Sequence, residues 1–264
     1  MLIRRFVGII VFAFLFSSAR AASNAFDDAA DPAYASGWTD GSNGGFGFGP
    51  WSITANPPGT TSAGSFLGDS TTLAPGNSGG NINTAGVSFG LFGYNNAYVN
   101  AIRSFNAPLS VGQTFSIQLA VNYRNGNKGF DVTDASGNNI FDLNIGGDDY
   151  SVNNTGGGTT NLFDKAYDPN TVFTVYITQT SATEGSWTIV RSGGMSGTAS
   201  SGIFPYQGVA AGINIYNVQT TDGNLPQDYL FVNNMQIVPE PSTIVLLSGA
   251  TLLGVFVYVR RRRE

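Results

Sequence analysis

Hydrophobic and polar residues alternate with a period of two along most of the central chain. From Thr114 to Tyr123, Phe115, Ile117, Leu119 and Val121 fall on one side, and Ser116, Gln118 and Asn122 on the other. Successive side chains point to opposite faces in an extended chain, so this pattern predicts a half-buried β-strand. Val172 to Thr178 repeats it, with Phe173, Val175 and Ile177 on one face and Tyr176 opposite. The same reading predicts strands at Trp51 to Ala55, Val87 to Phe92, Tyr98 to Phe105, Gly129 to Thr133, Ile140 to Ile145 and Tyr150 to Asn153. Further along it predicts Trp187 to Arg191, Val209 to Tyr216 and Tyr229 to Val238. Turn-forming residues separate them: Asn125-Gly126, Ala135 to Asn138, Gly146-Gly147-Asp148 and Asp222-Gly223-Asn224. Two stretches rich in glycine and small hydroxyl residues, Thr155 to Thr160 and Ser192 to Gly202, read as long flexible loops. No repeat with a period of tens of residues is visible, which disfavours a propeller or solenoid. Many short strands with polar outer faces predict an all-β fold, an antiparallel jelly-roll-like β-sandwich.

The two ends depart from this pattern. Arg4 and Arg5 precede an apolar run from Phe6 to Phe16, and Ala19-Arg20-Ala21 fits the small-x-small rule for cleavage. Residues 1–21 therefore read as a signal peptide helix, with the mature protein starting at Ala22. At the other end Pro239, Glu240 and Pro241 precede an apolar run from Thr243 to Val259, closed by Arg260, Arg261, Arg262 and Arg263. Prolines flanking an acid cannot sit inside a helix, so a transmembrane helix would begin after Pro241. At roughly 1.5 Å per residue the run reaches about 26 Å, the short end of what crosses a bilayer core. The four arginines would stay on the cytoplasmic face and place the rest of the chain outside. A glycosylphosphatidylinositol tail also joins a cleavage site to an apolar stretch, but the closing arginines argue against one.

Residues 239–264 resemble the PEP-CTERM sorting signal of Gram-negative surface proteins, in the order Pro-Glu-Pro, membrane helix, arginine cluster. The resemblance implies processing by the membrane enzyme exosortase, export across the inner membrane, transient anchoring there, and a place at the cell surface or in an extracellular matrix. A second resemblance lies in the glycine-rich lead-in, residues 27–50. Asp31-Pro32-Ala33-Tyr34, Gly37-Trp38 and Asn43-Gly44-Gly45, leading to Trp51, are similar to a recurring opening of surface proteins with this tail. It implies a shared sandwich domain and no particular activity. Tyr34, Trp38, Phe46 and Phe48 give the lead-in apolar groups to bury, so it reads as ordered.

Between the ends lie residues 22–238, read as one domain. Its cations are Arg103, Arg124, Lys128, Lys165 and Arg191, set against fourteen aspartates and one glutamate, a net charge of −10. Such a surface repels phosphate and anionic headgroups, which argues against nucleic acid or lipid as a partner. The chain has no cysteine, so the core alone must hold the fold. It has no histidine either, which removes Ser-His-Asp and Cys-His catalysis and His-ligated zinc.

What chemistry remains is carboxylate and aromatic. Glycosidases use two carboxylates flanking the scissile bond. The Glu-x-Asp-x-x-Glu strand of a laminarinase-like glucanase is missing, Glu184 being the body's one glutamate. Asp148 with Asp149, or Asp131 with Asp134, are the nearest pairs, read chiefly as solvated turn residues. Calcium could be held by Asp148 and Asp149 with the Gly146 and Gly147 carbonyls, or by Asp27, Asp28 and Asp31, although neither spacing matches an EF-hand. No other cofactor is expected. Trp and Tyr faces can stack on sugar rings, which makes Trp38, Tyr94, Tyr98 and Tyr206 candidate glycan contacts, with core packing as the competing reading for Trp38. Trp51, Trp187 and Phe115 alternate with polar neighbours and read as core. The expected function is that of an exported, non-enzymatic surface or matrix protein. The alternatives are a lectin-like module for exopolysaccharide and a carbohydrate-active enzyme built on an Asp pair.

Overall fold

A computed structural model describes residues 24–72, 79–147, 150–163, 166–202, 205–218 and 229–239. The expected signal peptide and the tail beyond Pro239 lie outside the described residues, as do Asp148 and Asp149. The strands in chain order are β1 (Ala25–Asp27), β2 (Ser52–Asn56), β3 (Ala63–Gly68), β4 (Ser88–Gly93), β5 (Tyr98–Ser104), β6 (Thr114–Val121), β7 (Asn127–Thr133) and β8 (Asn139–Asn144). They continue as β9 (Tyr150–Asn154), β10 (Gly158–Leu162), β11 (Thr171–Gln179), β12 (Glu184–Gly193), β13 (Gly197–Ser200), β14 (Tyr206–Gln207), β15 (Gly212–Val218) and β16 (Leu230–Val238). One 3₁₀ turn, Pro32–Tyr34, is the only helical element among the described residues.

The strands form an antiparallel β-sandwich. One sheet runs β13-β12-β11-β6-β16-β4-β3, with β1 also paired to β16 and β14 to β12; the other runs β10-β9-β8-β7-β15-β5-β2. All strand pairs are antiparallel, as the alternating pattern requires when one face is solvated. Phe115, Ile117 and Leu119 of β6 meet Val99, Phe130, Val132, Ile213 and Ile215 of the opposite sheet in a fully buried core.

Each segment predicted from alternation carries a strand. Five strands have no such signal. β10 and β13 run through the two stretches expected to be flexible loops, and this is a correction. Both are edge strands, β10 exposed except for Leu162 and β13 exposed or half-buried along its length. Neither has an apolar face to alternate; backbone bonds to β9 and β12 make them strands. β1, β3 and β14 are likewise too short or too glycine-rich to show a period.

The glycine-rich lead-in folds onto the sandwich. Tyr34, Trp38 and Phe48 are buried in its core, and Asp31 caps the 3₁₀ turn by accepting from Ala33 N at 2.8 Å. The close approach of this segment requires glycine: at Gly47, with φ of 80°, a Cβ would lie 2.4 Å from Ala25 Cβ. The lead-in is clamped by Arg103 of β5. This side chain is fully buried and ion-paired with Asp27 of β1. It also donates to Gly49 O at 2.9 Å and Gly44 O at 2.7 Å. Its guanidinium lies 5.0 Å from the Phe48 ring and 4.9 Å from Trp51. The one described cation that faces the inter-sheet core beside the lead-in is thereby neutralised and hydrogen-bonded, which is the condition for burying a charge.

Candidate functional site

On the seven-stranded sheet the outward positions are mostly polar from β10 to β15, with Ile102 of β5 an exposed apolar exception. Two hydrogen-bonded rows cross it. In one, Thr159, Asn153, Asp142, Asp131 and Asn214 are successive register partners on β10, β9, β8, β7 and β15. In the next, Asn161, Ser151, Asn144, Gly129, Tyr216 and Asn100 follow one another from β10 to β5. The period of two that sends Phe130, Phe141 and Ile215 into the core sends these side chains out together. Of these rows, Thr159, Asn153, Asp142, Asp131, Ser151, Asn144 and Tyr216 line a cleft of about 650 Å³.

Asp131 and Asp142 face each other across β7 and β8, close enough to share a proton. Asn214 Nδ2 donates to Asp131 Oδ2 at 3.0 Å, and the Tyr216 hydroxyl donates to Asp142 Oδ1 at 2.7 Å. Burial, and then the charge of Asp142, push Asp131 up to about 7. Burial also raises Asp142, against the hydrogen bonds from Tyr216 and Asp131 that hold it down. Burial and the neighbouring carboxylates push the Tyr216 hydroxyl well above its usual range, so it stays a donor. Two like charges this close cannot both form readily, so the pair holds on to one proton up to about pH 7. Gly129 leaves the room Tyr216 needs, since a Cβ there would lie 3.0 Å from its hydroxyl and 1.8 Å from Leu143 O.

Such a surface can exchange hydrogen bonds with hydroxyl groups in both directions, because amides and the protonated acid donate while amide oxygens and the carboxylate accept. None of its lining residues is a cation. Anionic ligands would meet only the negative charge of the carboxyl pair.

The residues singled out in the sequence fall differently. Trp38 and Tyr206 are corrected from candidate glycan contacts to core. Trp38 is 1% exposed and packs edge-on to Trp51 at 5.1 Å. Tyr206 is fully buried in β14, and its hydroxyl donates to Gln179 Oε1 at 3.2 Å. Their short glycine-flanked segments looked like loops but fold back against the sheets. Tyr94 is half-buried on the turn between β4 and β5, stacked on Phe92 and donating to Thr61 O at 3.2 Å. Tyr98 stands on the cleft's face as register partner of Val218, a lining residue, and accepts from Asn56 Nδ2.

The pairing of Asp131 with Asp134 is also corrected. Asp134 lies in the β7–β8 turn, where it accepts from Ser136 N at 2.8 Å and Asn138 N at 2.9 Å, while Asp131 meets Asp142 across the ladder. The Asp27, Asp28 and Asp31 cluster is divided as well: Asp27 pairs with Arg103, Asp28 accepts from Ala30 N, and Asp31 caps the 3₁₀ turn. No group of three or more His, Cys, Asp or Glu poised for a metal occurs among the described residues. The cleft itself went unread in the sequence. Its signal was a recurrence of Asn and Asp at outward positions of β7, β8, β9 and β15, visible only once register is known.

Residues 238–263 match the PEP-CTERM protein-sorting motif. Such a tail implies export and a surface or membrane-associated location. No curated protein matches the chain. Among solved structures, a sialidase is similar at 13% identity and a TM-score of 0.51, covering 83% of this chain and 19% of its own. The chain thus spans about a fifth of that sialidase's length. The alginate lyase AlgAT5 of polysaccharide lyase family 7 aligns at 13% identity over 64% of this chain and 83% of its own, with a TM-score of 0.39. An alginate lyase from Corynebacterium sp. aligns at 14% identity over 71% of this chain and 93% of its own, with a TM-score of 0.41. The sialidase likeness, at this identity, speaks for the sandwich fold alone.

Proposed function

We propose that this chain is an exported surface protein, sorted by exosortase through its PEP-CTERM tail, whose sandwich is a non-enzymatic, lectin-like module for neutral exopolysaccharide. The observation that carries the binding reading is the 650 Å³ cleft, whose polar lining is mostly amides and hydroxyls around the Asp131–Asp142 pair and holds no cation. A sugar ring offers hydroxyls that both donate and accept, as the Asn side chains and the Asp131–Asp142 pair do. Uronates and phosphates would be repelled by the carboxylate and by the acidic body.

Asp131 and Asp142 are the one feature that favours an enzyme, since a raised carboxyl is what general acid catalysis uses. Their geometry weighs against glycoside hydrolysis. Retaining enzymes hold two carboxyl groups about 5 Å apart and inverting ones farther, to flank the bond, whereas these two are direct partners on adjacent strands that interact with each other.

Titration calorimetry with neutral, amine-bearing and uronate oligosaccharides tests the reading. Binding of a neutral glycan, weakened at least about tenfold by Asn144→Ala with Asn153→Ala, is expected, since each lost hydrogen bond to a neutral group is worth about 1 kcal/mol. Binding unaffected by those changes would remove the cleft from the account. Turnover of any polysaccharide, lost in Asp131→Asn, would replace the lectin with an enzyme.

A further inference from the structure

Exposed apolar side chains flank the end of β16, from which the tail departs. At the end of β16, Val238 pairs with Thr114 of β6 on one side, while Gln236 pairs with Phe26 of β1 on the other. Ala25 and Asp27 point inward, so Phe26 points out, and it is 36% exposed. Phe46, joined to Phe26 by two backbone hydrogen bonds, is 53% exposed. Val111 is 61% exposed in the connection that leads into β6 at Thr114. Three of the six large hydrophobic side chains exposed among the described residues thus lie on segments that adjoin the end of β16: Phe26 opposite Gln236, Phe46 bonded to Phe26, and Val111 just before Thr114. Isolated exposed apolar groups need no explanation, but a cluster at one functional end does.

From Val238 only Pro239, Glu240, Pro241 and Ser242 precede the apolar run that starts at Thr243. Fully extended, those residues reach about 15 Å. If that run enters a bilayer, this corner cannot stand off from it. We propose that Phe26, Phe46 and Val111 form a membrane-contacting rim that enters the headgroup region of the leaflet facing the domain while the tail is in place. The proposal rests on the reading of the tail as a membrane segment. Aromatic side chains are favoured at that depth because their rings sit between hydrocarbon and water. The contact is apolar rather than electrostatic. Arg103 is buried, Asp134 after β7 and Glu184 at the start of β12 sit at this same end, and Arg124 in the β6–β7 connection, Lys128 and Arg191 lie toward the other end. It therefore needs no anionic lipid and resists salt.

The absence of cysteine makes a direct test possible. The full chain, carrying Phe26→Cys, Phe46→Cys or Val111→Cys labelled with a nitrobenzoxadiazole dye, is reconstituted in phosphatidylcholine vesicles with shallow doxyl-lipid quenchers. Tyr123→Cys is the control: it is exposed and lies beyond the far end of β6, roughly 25 Å along the strand. Loss of fluorescence to doxyl lipid at the three rim sites, with none at position 123, is expected. Rim labels as accessible to aqueous iodide as the control, on a chain that floats with the vesicles, would overturn the rim alone. A chain that does not float would overturn the tail reading, and the rim with it.

Discussion

Arg103 on β5 and Asp27 on β1 form an ion pair between the two sheets, with both side chains fully buried. β1 belongs to the nine-stranded sheet and β5 to the seven-stranded one, so the pair ties the start of the domain to the opposite layer. Tyr34 completes the link, donating to Asp27 Oδ2 at 2.6 Å and accepting from Trp51 Nε1 at 3.1 Å.

Removing one partner strands the other charge in the core. Arg103→Met or Asp27→Asn should each cost about 3–5 kcal/mol in urea unfolding, and the double change less than the sum. Additive losses would mean that the pair is not coupled.

Gly129→Ala should be among the most damaging single changes. Its Cβ would meet the backbone oxygen of Leu143, which cannot rotate away. A loss beyond about 4 kcal/mol, or failure to fold, is expected. Near-normal stability by calorimetry would contradict the tight β7–β8 register at this point.

The carboxyl pair sets a pH dependence. Asp131 loses its proton near pH 4 when unfolded and near 7 when folded. Between those values the folded protein holds a proton that the unfolded chain has released, so the pair's contribution is full below about pH 4 and falls as pH rises through 7. Each unit of separation is worth about 1.4 kcal/mol. Asp131→Asn, which mimics the protonated acid, should flatten the stability profile between pH 4 and 8 and gain on the wild type at pH 8. A parallel profile would show that Asp131 does not hold its proton up to about pH 7 in the folded protein.

Trp38→Ala should act on stability and not on ligand. Loss of a buried indole costs about 3–5 kcal/mol, and the residue does not line the cleft but packs in the core against Trp51. Reduced glycan affinity in a sample still folded by circular dichroism would restore Trp38 as a contact.

Replacing Arg260, Arg261, Arg262 and Arg263 with Gln removes the positive-inside signal from an apolar run of marginal length. Mis-sorting or premature release is expected, with the body folded. Mass spectrometry of surface copies should find the residues after the Pro-Glu-Pro element missing from the wild type, whereas an intact C-terminus on every copy would make the tail an ordinary anchor.

The sequence by itself determined the strands that bury one face and the tail. Phe115, Ile117 and Leu119 must lie on one side of β6 because the side-chain period of a strand is two, and a tail of prolines, apolar run and arginines is contiguous and needs no fold to be legible. Tertiary structure decided the rest, because it depends on register and on which strands are neighbours. Asp131 lies three residues from Asp134 in the chain yet pairs with Asp142, since β7 and β8 fold back on each other and set those two positions opposite. Trp38 and Tyr206 sit in segments with no alternation, and only packing against Trp51 and Gln179 makes them core. β10 and β13 are strands through backbone bonds to their neighbours, which side-chain pattern cannot report when neither face is buried.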